Sequence, residues 1–467
     1  TRMADTGHKT TAELRELLRN GQTAEEKSLA EKGRLCARER MRLLFDEGTF
    51  VEVGAYIGRK RTELDRDADD SFEPVVTGYG AVNGTLVYAF SQDFSRLHGA
   101  LGEMHAKKIT KIIETAAYSH APVIGVFDSA GAKILEGVDA LAGYGSIMRA
   151  VSGASELPRI AVVSGICGGA SAVIAEIFDI VIAAEKTGKL LTSPSGGAAD
   201  GVTADPALID IVCEDDAAAV GKARALIAYF DSVLETDDDI NRAVEIDGIL
   251  SARDYNIHDV ISTVFDAGTF TELGAEHADS MVTGLAAIGG RAVRVIANNP
   301  AVKGGKLCPC AADKASRLLA LCRTAEIPAV TLVDTDGIAD SAKAEEKGLA
   351  AHLAALARAY AEASVPCVTV TLGSSYGTAY TVMGSKALCG GIALALDRAK
   401  ISAMPPEAAV AFLDKVTDES RHAEIADTWA EKYASALEAA KSGHIDDIID
   451  SAELRQRIGA ALEMLCF

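Results

Sequence analysis

The chain writes one stretch twice. LFDEGTFVEVGA runs from Leu44 to Ala55, and VFDAGTFTELGA from Val264 to Ala275. Near-identity over this length is a poor chance match, so it asks for a longer repeat. The repeat is there. VVTGYGAVNGTLVYAF (75–90) pairs with MVTGLAAIGGRAVRVI (281–296), and APVIGVFDSAGA (121–132) with IPAVTLVDTDGI (327–338). LPRIAVVSGICGGASAVI (157–174) pairs with VPCVTVTLGSSYGTAYTV (365–382), in the same order and at nearly the same spacing. The chain therefore reads as two copies of one domain of about 200 residues, an ordinary domain size. The polar, acidic stretch ETDDDINRAVEIDG (235–248) places the boundary after residue 240, giving domains 1–240 and 241–467.

Within each copy, buried apolar strands alternate with helical periodicity. AKKITKIIETAAYS (106–119) carries apolar residues at helical spacing, PVIGVFD (122–128) reads as a buried strand, and RIAVVSG (159–165) as another. Strands alternating with helices imply parallel pairing through crossovers, an α/β fold. The chain is 49% hydrophobic over 467 residues, enough for two cores and too apolar for disorder. No apolar run approaches the roughly 20 residues that cross a bilayer.

A net charge of −21 argues against nucleic acid and anionic membranes as partners. It leaves room for an anionic ligand on a local donor set. Nine cysteines without a disulfide framework fit a reducing, cytoplasmic setting. Cys308 and Cys310 lack a second pair at zinc spacing, so no metal is expected. The acidic ELDRDADD (63–70) has no counterpart in the second copy and reads as an exposed insertion.

After the strand RIAVVSG comes ICGGASAVIAEIF (166–178), a strand, a glycine turn and a helix. Glycine permits positive φ and close ligand approach. The helix that follows points unpaired N–H groups at the turn, so the corner can hold an oxyanion. The second copy has its own corner, SSYGTAYTVM (374–383), and two corners suggest two oxyanions in one reaction. A different chemistry competes. Gly165 to Gly169 fits G-x-C-x-G and Gly373 to Gly377 fits G-x-S-x-G, which would make Cys167 or Ser375 the nucleophile of a hydrolase. That reading needs a partnered His, with His422 and His444 available downstream. The duplication is foreign to the hydrolase fold.

Along almost its whole length the chain resembles the carboxyltransferase β subunits of biotin-dependent acyl-CoA carboxylases and the related α subunits of biotin-dependent decarboxylases. ARERMRLLFDEGTFVEVG (37–54), PVIGVFDSAGAKILEGVDALAGYGSI (122–147) and GICGGA (165–170) carry the resemblance in the first copy. ANNPAV (297–302), ADKASRLLALCRTAEIPAVTLVDTDG (312–337) and YAEASVPCVTVTLGSSYGTAYTVMGSKALCG (360–390) carry it in the second. The resemblance implies a tandem duplication of a crotonase-like ββα-superhelix domain.

It also implies transfer of CO2 between carboxybiotin and the α-carbon of a short-chain acyl-CoA. Biotin rides on a separate carrier protein, and the coenzyme A thioester is the substrate. By the same likeness Gly168, Gly169 and Ala170 hold the thioester oxygen, and Gly377, Thr378 and Ala379 hold the ureido oxygen of biotin. Arg34, Arg38, Lys107, Lys108, Ala130, Gly131, Ala132 and Lys133 are the candidate CoA contacts. Expected partners are the biotin carboxyl carrier protein and biotin carboxylase, or a membrane decarboxylase complex, since the sequence has neither a Met-Lys-Met biotin-attachment site nor a glycine-rich ATP segment. A homo-oligomer, from dimer to hexamer, is expected, with interfaces over Val138 to Met148 and Ala350 to Ala363. Departures cluster near the second corner. Thr378 stands where glycine is frequent, Ser374 and Ser375 where basic residues are usual, and SPSGGAADGVTADPA (193–207) is short. A CoA-binding subunit without catalytic power is the alternative those departures leave.

Overall fold

The computed structural model describes residues 10–14, 24–31, 33–58, 60, 72–192, 206–231, 234–321, 326–412 and 422–466. The acidic stretch 63–70 and residues 193–205 of the shortened loop lie outside them.

The chain divides into two compact units, one of residues Thr1–Asp205 and Val212–Ile227, the other of Pro206–Ile211 and Ala228–Phe467. The acidic stretch expected to separate domains at residue 240 lies inside the second unit. Arg242 there bonds the Thr263 and Phe265 carbonyls, and Val244 N–H donates to Ala452.

In the first unit, helix α1 (Ala37–Leu44) precedes strands β1 (Val51–Glu52), β2 (Val75–Val82) and β3 (Thr85–Gln92). Then follow α2 (Glu103–Ser119), β4 (Val123–Ser129), α3 (Val138–Gly153), β5 (Arg159–Gly168), α4 (Ala170–Ala175), β6 (Ile180–Ala184), β7 (Lys189–Leu191), β8 (Ile211–Cys213) and α5 (Asp216–Leu226). The sheet order is β1-β2-β3-β4-β5-β6-β8, with β7 on the end of β5. β1 to β3 are antiparallel and the strands after them parallel.

The second unit repeats this with α6 (Ile257–Val264), β9 (Thr271–Leu273), β10 (Met281–Ile288), β11 (Arg291–Asn298), α7 (Pro309–Ala320) and β12 (Ala329–Thr335). It continues through α8 (Leu349–Ala361), β13 (Cys367–Tyr376), α9 (Gly377–Val382), α10 (Lys386–Cys389), β14 (Ile392–Leu396), β15 (Lys400–Ser402), β16 (Asp447–Ile449) and α11 (Leu454–Leu465). Its sheet order is β16-β14-β13-β12-β11-β10-β9, with β15 on β13. There are two sheets of equivalent topology, one per copy, as a duplication requires. Even an irregularity recurs: β4 and β5 slip register between Phe127 and Ser129, and β12 and β13 between Val333 and Thr335.

The opening repeat has a physical reason. In F-D-x-G-T-F the Asp46 carboxylate accepts from the N–H groups of Asn83 and Gly84, closing the β2–β3 hairpin turn. Asp266 does the same for Gly289 and Gly290. The threonine hydroxyls Thr49 and Thr269 donate back to the Asp46 and Asp266 carbonyls and accept from Ala81 and Ala287. The Phe50 and Phe270 rings lie where a Cβ on Gly78 or Gly284 would sit, which fixes V-T-G in the partner strand. A distant arginine, Arg224 or Arg455, completes each turn through its aspartate. One motif thus ties helix, hairpin and sheet edge together, and each copy needs its own.

Candidate functional site

β5 ends at Gly168, and Gly169 then takes φ 58 and ψ −124 before α4 begins. An L side chain is strained in that backbone region, so the turn needs glycine. A Cβ on Gly169 would meet nothing within 4 Å, so the corner opens onto free space. In the second unit β13 ends at Tyr376 and Gly377 takes φ 56. Strand register fixes the correspondence. Ser129 pairs with Cys167 and Thr335 with Ser375, while Gly168 pairs with Leu191 and Tyr376 with Ser402. Gly169 therefore matches Gly377, Ala170 matches Thr378, and Ser171 matches Ala379. The two triplets named from the sequence are offset by one residue.

Hydrogen bonds decide which donors are free. Gly169 N–H donates to the Leu191 carbonyl at 2.8 Å, and Gly168 lies within the β5–β7 ladder. Ala170 N–H has no acceptor among the described residues. The facing loop behaves similarly. Gly131 N–H donates to the Ser129 hydroxyl, and Ala130 N–H to the His98 carbonyl. Leu101 N–H bonds the Gly131 carbonyl and Lys133 N–H the Leu101 carbonyl, while Ala132 N–H has no acceptor among the described residues. Ala132 and Ala170 each stand three residues beyond the paired Ser129 and Cys167 on adjacent strands.

The basic residues expected at CoA are tied into the protein. Arg34 pairs with Asp128 and lies 4.4 Å over the Phe94 ring. Arg38 makes two bonds to the Glu52 carboxylate. Lys107 is exposed and pairs with Glu103 one helical turn away, a weak tie that leaves it free to exchange partners. Lys108 is buried, donates to the Val75 carbonyl, and has its pKa lowered to about 8 by desolvation. Lys133 is buried against Glu136 and the Lys60 carbonyl. Beside it Glu73, also buried, is pushed up to about 7 by desolvation. Lys108 and Lys133 serve the fold around the corner, as does Lys314, which is buried at the position matching Lys108 and bonds the His277 carbonyl.

Under both corners lies a buried aspartate. A Cβ on Gly165 would overlap Asp128, and one on Gly373 would overlap Asp334. In the first unit Asp128 is held by Arg34 and by fully buried Arg40, which also bridges to Asp216. The second unit carries Val260 in the place of Arg40. There Asp334 accepts from Ser374 N–H at 2.7 Å and from the Tyr255 hydroxyl at 3.0 Å. Burial pushes its carboxyl above the usual range.

The second unit also holds a cavity of about 580 Å³, walled by Arg253, Asp254, Asp334, Asp336, Ser374 and Arg398 among others. At the matching places the first unit has Arg34 for Asp254, Phe94 for Pro300, His98 for Gly304 and Ile166 for Ser374. Arg34, Phe94 and His98 stack on one another there and occupy the equivalent space. The charged walls and the departures at Ser374 and Asp336 belong to one feature, which no motif announced.

The hydrolase reading does not survive the geometry. Cys167 and Ser375 are buried at 0% and 1% exposure, within the ladders, and burial pushes the Cys167 thiol up, away from the reactive thiolate. Replacing Cys167 or Ser375 with Ala is expected to leave turnover within about threefold of the parent, where loss of a nucleophile costs orders of magnitude. An acyl adduct on Cys167 in mass spectrometry would contradict this. Among the described residues no group of His, Cys, Asp and Glu is placed to hold a metal ion, and no helix is long and apolar enough to cross a membrane.

Residues 29–466 match the family model described as a carboxyl transferase domain. Methylmalonyl-CoA decarboxylase subunit alpha of Propionigenium modestum is 35% identical, with 93% of this chain and 90% of that protein covered. The mitochondrial propionyl-CoA carboxylase beta chain of Homo sapiens is also 35% identical, with 93% and 86% covered. The transcarboxylase 12S hexamer, solved with hydrolysed methylmalonyl-coenzyme A bound, superposes with a TM-score of 0.90 at 31% identity, over 97% of this chain and 94% of that one. Two crotonase-like units with matching corners, aligned over nearly the full chain with such relatives, make this protein a member of the carboxyl transferase family.

Proposed function

We propose that the chain is the carboxyltransferase component that moves a carboxyl group between carrier-borne biotin and the α-carbon of a short-chain acyl-CoA. The observation that carries this is the pair of structurally equivalent corners, one in each unit, within a chain matched from 29 to 466. In the first unit Ala170 N–H, with Ala132 N–H from the neighbouring loop, faces the thioester oxygen. Backbone donors set in advance stabilise the charge that builds there when the α-carbon becomes carbanionic. In the second unit Thr378 and Ala379 N–H face the ureido oxygen of biotin, and the 580 Å³ cavity beside Ser374 takes the ring. Carboxybiotin supplies the CO2 and the proton acceptor, so no side-chain base is required of this chain. Lys107 is the candidate for the CoA phosphates, and the turn at Ala130 to Ala132 for the pantetheine arm.

The relatives run in two directions, carboxylation in the propionyl-CoA enzyme and decarboxylation in the methylmalonyl-CoA enzyme, and the same corners serve both. The carrier and biotin carboxylase, or a membrane decarboxylase complex, are separate partners, and the cytoplasm is the setting that fits both. The deciding measurement is exchange of labelled CO2 between carboxybiotin and acyl-CoAs of increasing chain length. Exchange confined to short acyl groups supports the assignment. Its absence with every acyl-CoA tested, alongside retained CoA binding, would leave a binding subunit.

Assembly follows from the same reading. Ile134, Val138 and Leu141 are exposed at the start of α3, a set of large apolar side chains that a lone chain leaves in water. A closed homo-oligomer, dimer to hexamer, covers such a face and brings the first unit of one subunit to the second of another. Light scattering at micromolar concentration is expected to give the mass of a dimer or a higher multiple. An active monomer would exclude the shared site.

A further inference from the structure

Cys367 opens β13 and Cys389 ends α10. The chain between them passes through the second corner and both short helices. Gly390, with φ 68, then turns it back, and β14 pairs with β13 from Val368 and Ile392 onward. Gly391 comes so close that a Cβ there would overlap the Cys367 carbonyl and lie 3.1 Å from the Cys367 Cβ. This return brings Cys389 onto Cys367, and the two thiols hydrogen-bond to each other. Both remain free thiols, Cys367 buried at 2% exposure and Cys389 partly open. Cys389 also reaches the Gly384 carbonyl, which accepts from Thr369 as well. Tyr360 of α8 and Arg294 of β11 stand close to the pair. Lys386, on the same helix as Cys389, is paired with Asp446.

We propose that Cys367 and Cys389 are an oxidisable pair that hydrogen peroxide closes into an intrachain disulfide, pinning the end of α10 to the start of the strand that builds the second corner. Cys389 is the attacking thiol, because it is the more open of the two. Its thiolate attacks one peroxide oxygen, the O–O bond breaks, and hydroxide leaves, taking up the thiol proton as water. The sulfenic acid so formed is attacked by the Cys367 sulfur. The S–O bond breaks, a second water leaves, and the S–S bond forms. Two thiols are oxidised by two electrons and one peroxide is reduced to two waters. The Cys367 hydrogen bond holds the Cys389 thiol down at about 6, so the thiolate is present at neutral pH, while Cys367 is pushed up and keeps its proton.

The pair is testable in the intact protein. Trypsin cuts after Arg358, Lys386 and Arg398, which places the two cysteines in the separate peptides 359–386 and 387–398. After brief exposure to peroxide and blocking of free thiols, the two peptides are expected to appear joined, at their summed mass less two hydrogens, and to separate on reduction. Without oxidant, Cys389 is expected to be alkylated by iodoacetamide with a midpoint near pH 6. In Cys367→Ala the joined peptide vanishes and that midpoint rises toward the ordinary thiol value of about 8.5. A parent protein that shows no joined peptide, or that alkylates Cys389 with the same midpoint as the variant, overturns the proposal. Because neither readout uses acyl-CoA or biotin, failure here leaves the carboxyltransferase assignment untouched, and the reverse holds too.

Discussion

Replacing Ala170 with proline is expected to lower turnover by about 100- to 1,000-fold, the cost of losing one preorganised donor to a developing oxyanion. The substitution is chosen for what it leaves alone. Ala170 is the first residue of α4, where proline's fixed φ fits and its missing N–H breaks no helix bond. Gly169 keeps its positive φ and its bond to Leu191. Circular dichroism and melting should therefore change little while exchange of labelled CO2 collapses. If Ala170→Pro turns over like the parent, the Ala170 N–H is not a donor in the reaction. Gly169→Val is the less clean variant. It forces a β-branched side chain into a glycine conformation, and its loss of activity would mix strain with chemistry.

The second large effect is on stability. Arg40→Val is expected to cost about 3–5 kcal/mol, because it leaves the carboxylates of Asp128 and Asp216 buried without their shared cation. Valine is what the second copy carries at that place, as Val260, so size and propensity are compatible with the helix. The penalty comes from the stranded charge. The double variant Arg40→Val with Asp216→Asn is accordingly expected to recover part of the loss, since one of the two unpaired charges is gone. Urea-induced unfolding measures both. A cost below about 1 kcal/mol for the single variant would mean that Arg34 alone satisfies Asp128.

Much of the architecture was legible in the sequence because the repeat is written in residues with local jobs. Asp46 and Asp266 close a hairpin turn, Gly78 and Gly284 make room for a ring, and Gly169 and Gly377 turn a strand into a helix. Such positions survive divergence of the surrounding apolar residues, so the two copies can be laid over each other by eye. What stayed hidden depends on partners far along the chain. Gly169 is withdrawn from the donor set by Leu191, in a strand that pairs only after a further helix and strand have been laid down. Lys133 looks like a phosphate ligand until Lys60 and Glu136 are seen around it. The Arg40 cluster joins residues 40, 128 and 216, a set no periodicity connects. The one-residue offset between the two triplets came from matching glycines by letter, and strand register corrects it.

The contrast between the open cavity of the second unit and the stacked Arg34, Phe94 and His98 of the first has a pharmacological consequence. Two sites on one scaffold ordinarily invite a single inhibitor to occupy both, with the potency at each entangled. Here a compound shaped to lie against Ser374 and the carboxylate of Asp334 would meet an isoleucine and an arginine–phenylalanine stack at the matching place in the other copy. Selectivity between the halves is thus written into four side chains, and a chemist could switch off one half-reaction while leaving the other running for study.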